Sequence, residues 1–141
     1  MINQIPMIRT RFPTFKSYAD ATINDIFTPG EMEGAKHLQA NDLSTSLFLS
    51  GSDGRFHKKT LPLQAQFSPV FTITELDYDK DGNPDLLLCG NIKHARIRFG
   101  KSDANYGILL KGDGKGNFTY VNQVESGFHI HGDVRSVIQM N

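Results

Sequence analysis

Asp77-Tyr78-Asp79-Lys80-Asp81-Gly82-Asn83-Pro84-Asp85 runs directly into Leu86-Leu87-Leu88-Cys89, an acidic turn feeding an apolar strand. The spacing is Asp-x-Asp-x-Asp-Gly-x-x-Asp, and each residue type has a reason to be there. Calcium takes about six to eight hard oxygen ligands at about 2.3–2.6 Å. Asp77, Asp79 and Asp81, on alternate positions of a tight loop, can turn three carboxylates inward. Gly82 permits the sharp turn, Asn83 can offer its backbone carbonyl, and Pro84 biases Asn83 toward an extended conformation. Asp85 closes the set as the strand begins. Without a cation the arrangement is costly: two carboxylates ~4 Å apart repel by about 1 kcal/mol in water and about 4 kcal/mol at an effective dielectric of 20. A solvated acidic turn is the plainer alternative, and the strict alternation with its glycine argues against it. An EF-hand opens on a similar run but needs a bidentate Glu at the twelfth position and flanking helices. Here that position is Leu88, and both flanks read as strands.

Outward from the loop, short apolar runs alternate with glycine turns. Candidate strands are Thr45–Leu49, Arg55–Thr60, Val70–Leu76, Asp85–Cys89, Gly107–Lys111 and Asn117–Val121. Gly51-Ser52-Asp53-Gly54 and Gly112-Asp113-Gly114-Lys115-Gly116 supply the positive-φ residues of hairpins. Residues Asn91 to Asn105 read as a long polar loop. The first third reads as helical. Ser17 and Asp20 fit a capping box, Ala19, Ile23, Ile26 and Phe27 recur at helical spacing, and Thr28-Pro29-Gly30-Glu31 is a second start signal. Met32, Ala35 and Leu38 would face inward from that helix, with Asn41 as its stop.

An internal repeat links the strands. Ser46 to Gly51 followed by Asp53-Gly54-Arg55-Phe56 resembles Gly107 to Gly112 followed by Gly116-Asn117-Phe118, and Pro69 to Asp77 resembles Asp133 to Asn141. On that alignment Asn141 falls where Asp77 stands, at the entrance to a further acidic loop. The expected fold is therefore mainly β, a partial β-propeller of about one full four-stranded blade plus parts of two neighbours, with a short N-terminal helical insertion. Residues 1–43 would be the insertion or linker, 44–69 the end of a preceding blade, 70–121 the complete blade with the calcium loop, and 122–141 the start of the next. A propeller closes with typically four to eight blades, so the expectation is a fragment or a module needing partners.

These residues resemble a known family. Asp77 to Asp85, between an apolar strand and Leu86-Leu87-Leu88-Cys89-Gly90-Asn91, looks like the calcium loop of FG-GAP/VCBS repeats, the blades of integrin-α-like propellers. Leu61-Pro62, Ala65 to Val70, Asp103 to Gly107, Gly112 to Phe118, and Ser126-Gly127 through Gly132 to Arg135 extend the likeness to most of the chain. Together they resemble VCBS-repeat proteins of the bacterial ASPIC/UnbV-associated type, which are typically large and exported. Residues Arg11 to Leu43 resemble a helical insertion that some of these carry. The resemblance implies a seven-bladed parent, calcium on Asp77, Asp79, Asp81, Asn83 (through its carbonyl) and Asp85, and an extracellular, periplasmic or cell-surface location. It implies no enzymatic activity. Only one acidic loop is present here, where the family has several.

Composition narrows the remaining classes. Fifteen basic and fifteen acidic residues cancel, so no net positive field points to nucleic acid. No apolar run approaches the ~20 residues of a membrane span. The start, Met1 to Pro6, lacks the basic and long apolar regions of a secretory signal. Cys89 is the only cysteine and reads as a small buried hydrophobe. His129-Ile130-His131 would alternate on a strand and could turn two imidazoles toward a metal, though no third ligand is evident and exposed or edge-strand histidines are the favoured reading. The basic run Lys93 to Arg98 could meet an anionic glycan or phosphate and reads more simply as a solvated loop. No nucleophile, base and orienter stand together. The expected function is a non-catalytic, calcium-binding scaffold for adhesion or for a protein or glycan ligand, its partners being the remaining blades. The alternative is a fragment of a propeller enzyme whose active site lies in the missing blades. A cytoplasmic calcium sensor is disfavoured, since a sensor needs paired sites and an exposed groove.

Overall fold

The computed structural model describes residues 5–95 and 97–140, and its contacts divide the chain into two units, Met1–Asn41 and Asp42–Asn141. In the first unit four short helices follow one another: α1 Met7–Arg11, α2 Phe15–Ala19, α3 Ile23–Ile26 and α4 Pro29–Met32. Threonine starts three of them. The helix start expected at Ser17 is corrected: Thr14 is the N-cap of α2, its hydroxyl accepting the Ser17 N–H at 3.1 Å. Asp20, expected to close that box, instead ends the helix. A second box at Thr22, whose N–H donates to Asp25 at 2.8 Å, starts α3 afresh. The Ala19-to-Phe27 spacing is thereby split between two helices, and of its apolar residues only Ile26 is buried.

The start at Thr28 stands as expected. Glu31 accepts the Thr28 N–H at 2.8 Å, and Pro29 occupies the first helical turn, where its missing donor costs nothing. Arg11 grips the same Glu31 carboxylate with two nitrogens, at 2.8 and 3.0 Å. This helix ends at Met32, well before the expected stop at Asn41, because Glu33 is already extended and Gly34 turns at φ +73°. Leu38, expected on its inner face, is 77% exposed.

The second unit is built of strands, so the chain as a whole is mainly β. β1 (Ser46–Ser50) and β2 (Phe56–Thr60) form a two-stranded antiparallel sheet. β3 (Thr72–Leu76), β4 (Asp85–Cys89), β5 (Ile108–Gly112) and β6 (Phe118–Val121) form a four-stranded antiparallel meander in chain order. Each lies within two residues of its sequence-based position. Register pairs Leu86 with Leu110, Leu87 with Leu109 and Leu88 with Ile108, so the two central strands carry apolar residues on both faces. Such strands read as continuous apolar runs, and the edge strand β3 shows the alternation of a half-covered one.

The core gathers Leu88, Ile108 and Leu110 from the meander with Leu61 and Ala65 from the connection after β2. The Gln66 side chain seals that connection: its oxygen accepts the Thr45 N–H at 2.7 Å, and its nitrogen donates to the carbonyls of Thr45 and Leu61. Cys89 is buried, and burial pushes its thiol pKa up. After β6 a short helix, α5 (Gln123–Ser126), is capped by the Asn122 side chain and closed by left-handed Gly127. Residues 128–140 form no strand, so neither the His129–His131 strand nor a second copy of β3 beyond Asp133 is formed. That segment is instead held by Ile130 donating to the Tyr106 carbonyl, by Asp133 accepting the Lys93 N–H at 2.7 Å, and by Arg135 lying 3.6 Å over the Phe71 ring. Asn141 and Arg96 lie outside the described residues. No helix among the described residues is long and apolar enough to cross a membrane.

Candidate metal centre

The connection from β3 to β4 curls so that its carboxylates meet. Asp77, Asp79 and Asp85 each bring a carboxylate oxygen within 4.8 Å of the others. Backbone amides shape the curl from inside. Asp77 accepts the N–H groups of Asp81 and Gly82, both at 3.0 Å, and Asp81 accepts that of Asn83 at 2.8 Å. Side chains that bond amides two to five residues ahead build such turns from aspartate in general. Two left-handed residues complete the turn, Lys80 at φ 62° and Gly82 at φ 83°.

Asp85 differs from the rest. It is wholly buried at the head of β4, where an unpaired carboxylate would be strongly unfavourable. Its two oxygens are each supplied by the backbone, one by Tyr78 N–H and one by Gly112 N–H, both at 2.8 Å. One side chain therefore ties the start of the acidic loop, the start of β4 and the end of β5 together. Its remaining lone pairs are free to face a cation from the floor of the loop.

Two other expected ligands are placed differently. Asp81 stands outside the convergent three and turns to Lys111, 3.3 Å away, and to the Asn83 amide. The Asn83 amide first, then the lysine, holds its pKa below the usual carboxylate range. Asn83 is half-buried and, with Asp77, Gly82 and Pro84, lines a shallow cleft of about 260 Å³ beneath the loop. The second hairpin presses against this floor: a Cβ at Gly112 would stand 2.1 Å from the Pro84 carbonyl oxygen, and one at Gly114 would stand 2.4 Å from Asn83 Oδ1. At Gly112, where the neighbour is backbone, only glycine permits that approach.

Lys111 is the residue that sequence reasoning missed. Its ammonium bonds Asp79 and faces Asp81, and these two carboxylates, Asp79 first, raise its pKa. Thirty-two positions separate Lys111 from Asp79, and no local pattern announces the pairing; it follows from β5 running beside β4. Asp113, in the neighbouring turn, is held down at about 2 by the side chain and N–H of Asn117 and the N–H of Lys115.

The donor set fits a hard cation. Carboxylates and nearby carbonyls without nitrogen or sulfur suit calcium or magnesium, and a flexible loop with several carboxylates suits the larger ion. The other sequence candidates bring less together. His37 and His57 join no cluster of metal-type ligands among the described residues, and exposed His94 pairs with Asp133 at 3.4 Å. Compared with known proteins, the chain matches no family model, no curated protein and no solved structure.

Proposed function

We propose that the chain is a non-catalytic, calcium-stabilised scaffold segment of an exported protein, the acidic loop holding one calcium ion. The convergence of Asp77, Asp79 and Asp85 at the head of the buried strand β4 is the observation that carries this reading. In it the ion neutralises the loop and fixes the turn between the first two strands of the meander. Asp81 and the Asn83 carbonyl complete the shell once Lys111 has been displaced. Lys111 already serves as a cation on Asp79 and Asp81, so calcium competes with it for the same oxygens.

The partial-propeller reading rests on the same elements. A four-stranded antiparallel meander is the unit from which propeller blades are made, and β1 with β2 offers only two strands of another such unit. Phe48, Phe56 and Ile73 remain exposed on these sheets, as they would where neighbouring blades of a longer parent supply the missing cover. Adhesion or capture of a protein or glycan ligand is the role such a scaffold would serve.

Terbium luminescence tests the metal assignment directly. Tb³⁺ substitutes for calcium on hard oxygen ligands, and Tyr78 sits inside the loop as a sensitiser. Sensitised emission that saturates at one equivalent, is displaced by calcium and is lost in Asp79→Ala is the expected result. Emission unchanged in Asp79→Ala, or no displacement by millimolar calcium, would remove the site.

A further inference from the structure

The segment after α5 brings two imidazoles together at a place the calcium reading does not use. Nε2 of His129 and Nε2 of His131 stand 2.7 Å apart, with ring planes at 83°. Tyr106 supports both rings, stacked on His129 at a centroid distance of 5.5 Å and edge-on to His131 at 5.0 Å. The backbone beneath is pinned by the Ile130 N–H donating to the Tyr106 carbonyl at 2.9 Å. Gln123 closes the far side of His129, its side-chain nitrogen 2.9 Å from Nδ1.

The chemistry of that last contact selects the function of the pair. A glutamine amide presents oxygen or nitrogen by a half-turn of its terminal torsion. With oxygen against Nδ1, the ring carries its proton there, and the Nε2 lone pair points at His131. Metal-binding histidines are oriented in this way by a carbonyl or carboxylate on the second ring nitrogen. Two nitrogens each about 2.0–2.1 Å from one ion stand about 2.9 Å apart at a right angle and about 3.3 Å apart at the tetrahedral angle, so on binding the pair opens by a few tenths of an ångström and both rings rotate to turn Nε2 toward the ion. On binding, the His131 proton moves to its own Nδ1, and both Nε2 atoms become donors.

We propose that His129 and His131 form a two-imidazole site for a nitrogen-preferring divalent metal of the zinc and copper class, separate from the carboxylate loop. Both rings are exposed, so the site keeps open positions for water or for a donor from a partner. Imidazole suits zinc, copper and nickel, whereas carboxylate and carbonyl oxygens suit calcium, so the two sites sort metals by donor chemistry.

Copper titration of the full chain in excess calcium, read by visible absorption and electron paramagnetic resonance, tests the site. One tightly bound equivalent with hyperfine structure from two nitrogens is expected. His129→Asn and His131→Asn should each weaken it more than 10-fold, Gln123→Leu should weaken it about 10-fold as loss of an outer-shell partner does, and His57→Asn should leave it unchanged. Circular dichroism of each variant establishes that the fold is intact, as expected for exposed side chains. Equal affinity in His129→Asn, His131→Asn and the parent would overturn the proposal. So would a spectrum from fewer than two nitrogens, which would leave the pair as two imidazoles sharing a proton.

Discussion

Asp85 is the residue on which loop, strand and neighbouring hairpin all depend. Its carboxylate receives Tyr78 and Gly112 amides while fully buried, and hydrogen bonds to a charged group contribute about 1.5–3 kcal/mol each. Asp85→Ala in metal-free buffer should therefore lower the urea-derived stability by about 2–4 kcal/mol, since one buried and one part-buried donor are orphaned. Asp79→Ala, whose carboxylate is paired with an exposed lysine, should change it by less than about 1 kcal/mol. Equal losses would mean that Asp85 has no bracing role. Lys111 carries the converse expectation: Lys111→Met removes the competing ammonium, and calorimetry should show tighter calcium binding in the variant. Weaker binding would show that the lysine helps to shape the loop. The tight turn at Gly82 and the meeting of the Asp77, Asp79 and Asp85 carboxylates were legible from spacing alone. Lys111 and the Gly112 amide were not, because both arrive from a strand far along the chain.

Protonation belongs to the same scale. The Asp113 carboxyl is held at about 2, against an ordinary 3.8, by the Asn117 side chain and then by backbone amides. A folded-state pKa below the unfolded one stabilises the fold above about pH 4, and that contribution fades as pH falls toward 2. Thermal unfolding of Asp113→Asn should accordingly show a flatter decline over this interval than the parent. Parallel curves would mean that the turn does not use the charge.

Among the elements, the contact between the acidic loop and the second hairpin sets the geometry. Gly112 leaves no room for a Cβ beside the Pro84 carbonyl, whereas Gly54, in the equivalent turn of the first hairpin, has φ +73° and nothing within 4 Å. Gly54→Ala should cost only the left-handed penalty of about 1–2 kcal/mol. Gly112→Ala should cost about 1–3 kcal/mol from overpacking alone and should weaken calcium binding as well, since Asp85 takes its N–H. Chemical denaturation with and without calcium separates the two effects, and a Gly112→Ala variant with parental calcium affinity would uncouple hairpin from loop. Both hairpins were readable from their glycine turns and the short apolar runs beside them, which are local features. The helices were less so. Thr14, Ser17 and Asp20 all offer side-chain caps within about two turns, and Thr14 is the one that caps.

For the whole molecule, the outer pairs of the meander β3-β4-β5-β6 are the part whose order the sequence dictates most directly, because consecutive antiparallel strands need only short turns, whereas residues 90–107 intervene between β4 and β5. Residues 128–140 were expected to open another strand and instead lie without one, held by Asp133, Arg135 and Ile130. A strand forms only where another strand offers it backbone partners, and sequence similarity to β3 supplies none. The central claim is that calcium stabilises this β unit through the acidic loop. Thermal unfolding of the chain in millimolar calcium and in excess EDTA, beside Asp79→Ala, tests it most directly. Calcium at about 100 times its dissociation constant should add about 2.7 kcal/mol, raising Tm in the parent and leaving Asp79→Ala unmoved; a cooperative transition at the same temperature in calcium and in EDTA would contradict it.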